Sequence, residues 1–431
     1  MIIKCEKERN FQFSVLPPLY LPFYNRWGRN AYYKYEPFSY DPFNIKCSST
    51  SGSPVVLSCN GFFGFLNEAG GEFSYDGKGT LTVKCRAGQE LYYNESCNPY
   101  DVWLKYNKIV LRDFEKNSTQ SFWSGLEYCT WVDQKRFATQ QGKANMQACL
   151  NEQFVYDYMR RVDQMGLPKG KLTIDDGWDV LCADNGRRIY GNWQINREKF
   201  PHMEQLVKDM TNNGFQPGLW FAPFTFTTDC ELAKKYPDLV GDMWNKNSEN
   251  GMNWTFIKPS PVLEAYYTDI FSRYISMGFR KLKLDISYGK KSDMKELLKM
   301  MYRIIKKIDP TVEVEAHVPD IFVSRYCDTV RINDVSFDDE GEWRGVTMEH
   351  YKVCRYSASD KILNLDHLGT NTPIPREEDF MEHTKMLLCL KGGYPCVSLL
   401  PDLFGQKATD AFVGEIREWY TNHLRAHMAE R

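Results

Sequence analysis

The sequence predicts an α/β protein, a (β/α)8 TIM barrel preceded by an all-β accessory domain. Three observations lead to that expectation. From about residue 125, short apolar runs of strand length alternate with longer stretches whose apolar residues recur at helical spacing. Eight such strand–helix units fall within roughly 300 residues, the number a closed barrel of this kind requires. No G-x-G-x-x-G follows any of the strands, which argues against an open doubly wound sheet. The boundaries drawn are 1–115 for a β-sandwich-like accessory domain and 120–431 for the barrel.

Residues 1–115 alternate short runs of Val, Phe, Tyr and Thr with Gly, Asn, Ser and Pro, and read as β throughout. The clearest hairpin joins residues 72–75 to 80–84 through Asp76-Gly-Lys-Gly79. Residues 100–106 and 109–111 read as further strands, and no motif in this region carries chemistry. The first barrel strand is expected at 127–132, followed by a helix with Leu150, Phe154, Tyr158, Val162 and Met165 on one face. The second strand is 171–174, with a helix over 203–212 that ends at Gly214. The third is 216–222, and its helix aligns Val262, Tyr266, Ile270, Tyr274 and Met277 before stopping at Gly278. Strands four to eight are expected at 281–289, 312–317, 329–333, 362–366 and 396–400. The closing helical patterns lie at 343–357, 378–391 and 409–425.

The chain has 431 residues, too many for one compact core. Its formal net charge is −2, with no basic run that could track phosphates, so nucleic acid and anionic membranes are excluded as partners. No stretch approaches the ~20 apolar residues that span a bilayer. Residues 1–8 lack the apolar core of a signal peptide. Thirteen cysteines are scattered without C-x-x-C pairs, which fits reduced thiols in a cytoplasmic protein and not a zinc site. Aromatic residues reach 15%; their flat faces suit the C–H faces of sugars, although core filling accounts for most of them. No cofactor and no metal is called for, and nothing in the pattern excludes an oligomer.

Strand four carries the most informative stretch. Side chains alternate along a strand, so Leu282 and Leu284 point one way and Lys283 and Asp285 the other. Two opposite charges on the inner face of a buried strand are costly unless they pair or do chemistry. Functional groups also end the other strands: Asp175, Asp176 and Trp178 after strand two, and Trp220 on strand three. Strand five bears Glu313, Glu315 and His317 at alternate positions, strand six Arg331, Asn333 and Asp334, and strand seven Asp366 and His367. Any one of these could cap a helix or close a salt bridge. Five carboxylate-bearing strand ends aimed at one axis would repel one another without a ligand, a metal or shared protons. A retaining glycosidase needs two carboxyl groups about 5–5.5 Å apart, one ionised and one protonated. Lys283 is expected to hold Asp285 ionised, and Asp334, on the second strand along, to face it across a sugar.

The blocks Thr173-Ile-Asp-Asp-Gly-Trp178, Gly191-Asn-Trp193, Lys199-Phe-Pro201, Gly214-Phe-Gln-Pro-Gly-Leu-Trp220 and Lys283-Leu-Asp285 resemble those of retaining α-glycosidases of the α-galactosidase clan. The resemblance is to glycoside hydrolase family 36, with families 27 and 31 as relatives, and covers roughly residues 125–405. It implies Asp285 as nucleophile and Asp334 as acid/base, acting on an α-glycoside or oligosaccharide. It also implies hydroxyl contacts from Asp175, Asp176, Lys283, Arg331 and Trp220. Trp178, His317, Asp320, which matches a family aspartate before the acid/base strand, and His367, in a strand-seven motif, complete the sugar-site candidates. Two departures stand out. Glu315-Ala-His-Val-Pro-Asp320 replaces the family's Cys- and Gly-rich segment, and Arg331-Ile-Asn-Asp-Val335 replaces its Ser-Asp-Asn. Asp338, Asp339 and Glu340 are rival acids, and the chain leaves no room for the family's C-terminal β domain.

Within that clan the paired aspartates after strand two favour galactose, whose axial hydroxyl needs acceptors on one side. An exo-acting α-galactosidase is therefore the expectation. The alternatives are an α-glucosidase or α-xylosidase of the same clan, a Mg2+-dependent lyase or isomerase with Lys283 as base, and a sugar-binding protein without turnover.

Overall fold

The computed structural model describes residues 1–17, 19–22, 32–35, 54–67, 72–112, 114, 119–143, 145–179, 190–227, 230–243, 254–257, 259–285, 291–317, 320–332, 335, 343–369 and 371–429. Eight parallel strands close into a barrel in chain order. They are Glu127–Cys129, Lys171–Ile174, Gln216–Phe221, Lys281–Leu284, Glu313–Ala316, Thr329–Arg331, Ile362–His367 and Gly393–Val397, and strand eight pairs back to strand one. Their outward residues, such as Leu172, Ile174, Leu219, Phe221, Leu282, Leu284 and Val314, are fully buried and belong to one apolar cluster with the surrounding helices. The helices stop where expected: Met203–Asn212 runs out before Gly214, and Pro261–Met277 is capped by Gly278 at φ +120°, a conformation that glycine adopts without strain.

The inward face is charged, where a parallel barrel is ordinarily apolar. Lys281 bonds Glu127 of strand one and lies 2.6 Å from Glu315 of strand five. The Asn364 amide donates to the same two carboxylates at 2.8 Å. Lys171 pairs with Glu313 at 3.2 Å and sits 3.3 Å from the centre of the Tyr394 ring. Hydroxyls of Thr173 and Thr329 donate to Glu127 and Glu313, each at 2.6 Å. Every one of these residues is buried. Three carboxylates face two ammonium groups, and burial pushes the Glu313 carboxyl above its ordinary value. Strand three contributes Gly218 to this level; a Cβ there would lie 2.5 Å from Thr173 Oγ1, so only glycine leaves room for the Thr173–Glu127 bond.

Ahead of the barrel stand a six-stranded and a three-stranded antiparallel sheet. The hairpin of Glu72–Tyr75 and Thr80–Cys85 forms as expected, with Arg9–Ser14 as the third strand. Four expectations are corrected. Residues 100–106 and 109–111, read as strands, fall in and just after the helix Pro99–Val110: proline opens it, and Val102, Trp103, Tyr106 and Val110 share its buried side at helical spacing. The first barrel strand ends at Cys129, because Thr130–Gln140 continues as a helix. The eighth strand is Gly393–Val397, earlier than expected. In Pro261–Met277 the buried side includes Leu263, Tyr267 and Phe271, and Val262 is exposed. Also not foreseen were the helix Lys291–Ile308 after strand four and a three-stranded antiparallel sheet of Thr225–Thr227, Val240–Met243 and Trp254–Ile257 inserted after strand three.

The helix Pro99–Val110 ties the two parts together. The Tyr106 hydroxyl bonds the Phe65 carbonyl, the Trp103 ring stacks on Tyr356 at 5.6 Å, and the Asn107 amide bonds the Tyr356 carbonyl and, at 3.0 Å, Ser359.

Candidate active site

Above the charged layer, the C-terminal ends of the strands bring a second set of polar side chains together. Asp285 directly follows strand four, and its amide donates to the Phe221 carbonyl of strand three at 2.8 Å. Both carboxylate oxygens have donors: Trp220 Nε1 to Oδ2 at 2.9 Å, and His317 Nδ1 to Oδ1 at 2.7 Å. Burial raises the pKa of this carboxyl, but His317, Arg331 and Lys283 outweigh it and hold Asp285 well below the usual carboxylate range. Its side chain is 23% exposed, whereas those of Asp175, Lys283, His317, Arg331 and Asp366 are 1–7% exposed. Of this group, Asp285 is the carboxylate open to a ligand.

Lys283 helps to hold Asp285 ionised, as the sequence suggested, but its direct partner is a different carboxylate. Its Nζ reaches across the barrel to Asp175 Oδ2 at 2.7 Å, and the Cys129 thiol donates to the same oxygen at 3.0 Å. Burial disfavours the ammonium, yet Asp175 more than compensates and drives the Lys283 pKa well above its ordinary value. An ammonium paired in this way donates rather than accepts, which does not fit the base role a lyase or isomerase would give it. Asp176 accepts from Gln147 Nε2 at 2.8 Å and from the Tyr190 hydroxyl at 3.0 Å.

His317 lies between Asp285 and Arg331, whose Nε donates to His317 Nε2 at 2.7 Å. Burial and Arg331 press the imidazole pKa down, and the Asp285 and Glu315 carboxylates carry it upward overall. Arg331 Nη1 in turn bonds Asp366 Oδ1 at 2.6 Å. Asp366 sits at a register irregularity of strand seven with φ +61°, a left-handed conformation that aspartate tolerates better than most residues.

The other candidates are placed differently. Trp178 is fully buried; its indole donates to the Trp220 carbonyl at 2.8 Å and so supports the strand from behind. Asp320 Oδ1 caps a turn by accepting from the amides of Phe322 and Val323 at 2.8 and 3.3 Å. His367 is buried with its Nδ1 3.5 Å from the Cys396 thiol. Those two groups and the Cys129 thiol lie within 4.8 Å of one another. Asp334, its neighbour Asn333 and the rival acids Asp338, Asp339 and Glu340 lie outside the described residues. Sequence reasoning passed over Cys129, Gln147 and Tyr190. A cysteine closing strand one in line with Asp175 was the one signal available; the other two come from connecting segments, where no periodicity marks them.

Residues 125–316 match the family model described as Melibiase. The likeness of this segment is to α-galactosidases, and solved family 36 α-galactosidases share the fold. An α-galactosidase of Geobacillus stearothermophilus is 32% identical over 104 residues, 24% of this chain and 14% of that protein. An α-galactosidase of Pediococcus pentosaceus is 25% identical over 121 residues, 28% of this chain and 15% of that protein. The chain thus matches about one seventh of the length of these curated relatives. The fold likeness is broader. The α-galactosidase of Thermus thermophilus, solved with p-nitrophenyl α-D-galactopyranoside, superposes with a TM-score of 0.69 at 15% identity over 94% of this chain and 88% of that one. A Geobacillus stearothermophilus family 36 enzyme solved with raffinose gives 0.59 at 14% identity, over 95% and 62%. The matched segment runs through strands one to five and includes Asp175, Asp176, Trp220, Lys283 and Asp285.

Proposed function

We propose that the chain is a retaining, exo-acting α-glycoside hydrolase of α-galactosidase type, with Asp285 as nucleophile. One observation carries this reading: a carboxylate held ionised by its surroundings is also the one exposed among otherwise buried charges at the barrel mouth. An ionised Asp285 oxygen attacks the anomeric carbon while the bond to the leaving oxygen breaks. That oxygen receives the proton of the Asp334 carboxyl. In the second displacement the Asp334 carboxylate takes a proton from water, the water oxygen attacks the anomeric carbon, and the ester to Asp285 breaks. In this reading Lys283 and Arg331 donate to sugar hydroxyls and Asp175 and Asp176 accept from them, while the indole N–H of Trp220 holds Asp285. The paired aspartates, together with the α-galactosidases among the relatives, favour galactose over glucose or xylose.

The test is a panel of p-nitrophenyl α-glycosides assayed with wild type and Asp285→Asn. The galactoside should be turned over, and Asp285→Asn should abolish turnover with an unchanged melting temperature. Turnover of only the glucoside or xyloside reassigns the sugar. No turnover, with galactose still raising the melting temperature, makes the chain a sugar-binding protein. Loss of activity with EDTA would favour metal-assisted chemistry.

A further inference from the structure

We infer that His317 is a positioning residue for Asp285, and that Arg331 and Asp366 fix which of its ring nitrogens carries the proton. Four consecutive barrel strands contribute one link each. Asp285 follows strand four and meets His317 Nδ1 at 2.7 Å; His317 follows strand five and meets Arg331 Nε at 2.7 Å through Nε2. Arg331 ends strand six and is held at 2.6 Å by Asp366 of strand seven.

The chemistry of these groups gives the chain a direction. A guanidinium donates and never accepts; Arg331 Nη2 lies 3.1 Å from Nδ1, but the shorter contact is Nε to Nε2 at 2.7 Å, and Nδ1 is nearer to Asp285 at 2.7 Å, so the lone pair belongs on Nε2. The single proton of the neutral ring is then on Nδ1, facing Asp285. The opposite tautomer would aim a lone pair at the carboxylate and an N–H at the guanidinium. With Trp220 on the other oxygen, the plane of the Asp285 carboxylate is fixed at both ends. The charges around the pair are Lys283, Arg331, Glu315 (Oε1 3.6 Å from His317 Nε2), Asp366 behind Arg331 and Asp175 behind Lys283. The Nδ1–H bond is strongest to the free, ionised carboxylate, so it favours Asp285 as the leaving group of the second displacement. None of this is legible from the segment 315–320 alone.

The kinetic part of this inference rests on the glycosidase reading; the proton placement does not. Two measurements separate them. In the full-length 15N-labelled chain, long-range 1H–15N correlation reads the tautomer of each histidine ring, and the His317 signals are those lost in His317→Asn. Once the pH exceeds the raised pKa of the ring, a neutral His317 protonated at Nδ1 is expected; a neutral ring protonated at Nε2 overturns the proposal. The second measurement is kcat/KM on p-nitrophenyl α-galactoside across pH. His317→Leu removes the donor, so Asp285 becomes less acidic, the acid limb moves up in pH, and kcat/KM falls about 100-fold. His317→Asn places an amide N–H near the position of Nδ1 and should restore most of the rate and the limb. Equal losses in both variants with an unmoved limb would reduce His317 to structural support and sink the idea. A wild type inert on every glycoside defeats the proposed function, and the ring tautomer then decides this one alone.

Discussion

Lys283 and Asp285 stand two residues apart on one side of strand four, and each has its own partners. The lysine reaches Asp175, 108 residues away in sequence, while the aspartate is held by His317 and Trp220. This division sets a pH expectation. Burial pushes the Asp285 carboxyl up, but its cationic and N–H neighbours bring it well below its ordinary value of 3.8. Because the folded pKa is the lower one, Asp285 contributes its stabilisation fully above the unfolded value of about 3.9, and that contribution is lost as pH falls through the folded value. The stability difference between wild type and Asp285→Asn, from urea midpoints, should therefore be constant at neutral pH and shrink below about pH 4. The kcat/KM profile should show no Asp285 limb above that point. A difference that already shrinks between pH 5 and 7 would contradict the shift. The charged pattern K-x-D was legible in the sequence because alternation alone places both residues on the inner face. The identity of each partner was not, since it depends on which strands face one another across a closed barrel.

Elements were legible wherever period and punctuation agreed. Lys171–Ile174 and Met203–Asn212 were located to the residue, the first by its apolar alternation and the second by the glycine after it. Residues 100–106 and 109–111 were misread because Trp103 with Tyr100 and Tyr106 suggested a strand, and aromatic content was weighed above the proline at the start and the helical spacing of the buried residues. The eighth strand was misplaced because its first half contains Gly393 and Pro395, residues that usually punctuate strands. Gly218 shows what such a residue can mean inside a strand. Its missing side chain leaves space for the Thr173 hydroxyl, so Gly218→Ala should cost about 1–3 kcal/mol of stability by overpacking a filled barrel. Thermal unfolding of Gly218→Ala, and of Gly218→Ala with Thr173→Ala, would measure it: the second change should recover part of the loss. An Ala variant as stable as wild type would mean that strand three can shift.

Across the whole molecule, fold class was set by the count of strand–helix units, and the barrel closes in chain order as that count required. The charged interior could not be foreseen, because Glu127, Lys171, Lys281, Glu313 and Glu315 look like ordinary strand-edge polar residues until the barrel closes. Lys281→Met should test how strongly this layer binds the barrel together. It would leave Glu127 and Glu315 facing each other without their shared cation, and removing one member of a buried pair typically costs about 3–5 kcal/mol. Chemical denaturation would report a loss of that size, and a variant within about 1 kcal/mol of wild type would show that the Asn364 amide and a shared proton suffice. The same layer constrains how the molecule is assembled. Its bonds join strand two to five, four to both one and five, and seven to both one and five, so Glu127 gains its cation and its amide donor only when strand one meets strands four and seven. A partly wound intermediate would have to keep its axis wet, and water would leave only when the last strand docks against the first. Refolding should accordingly end in a single late dehydration step.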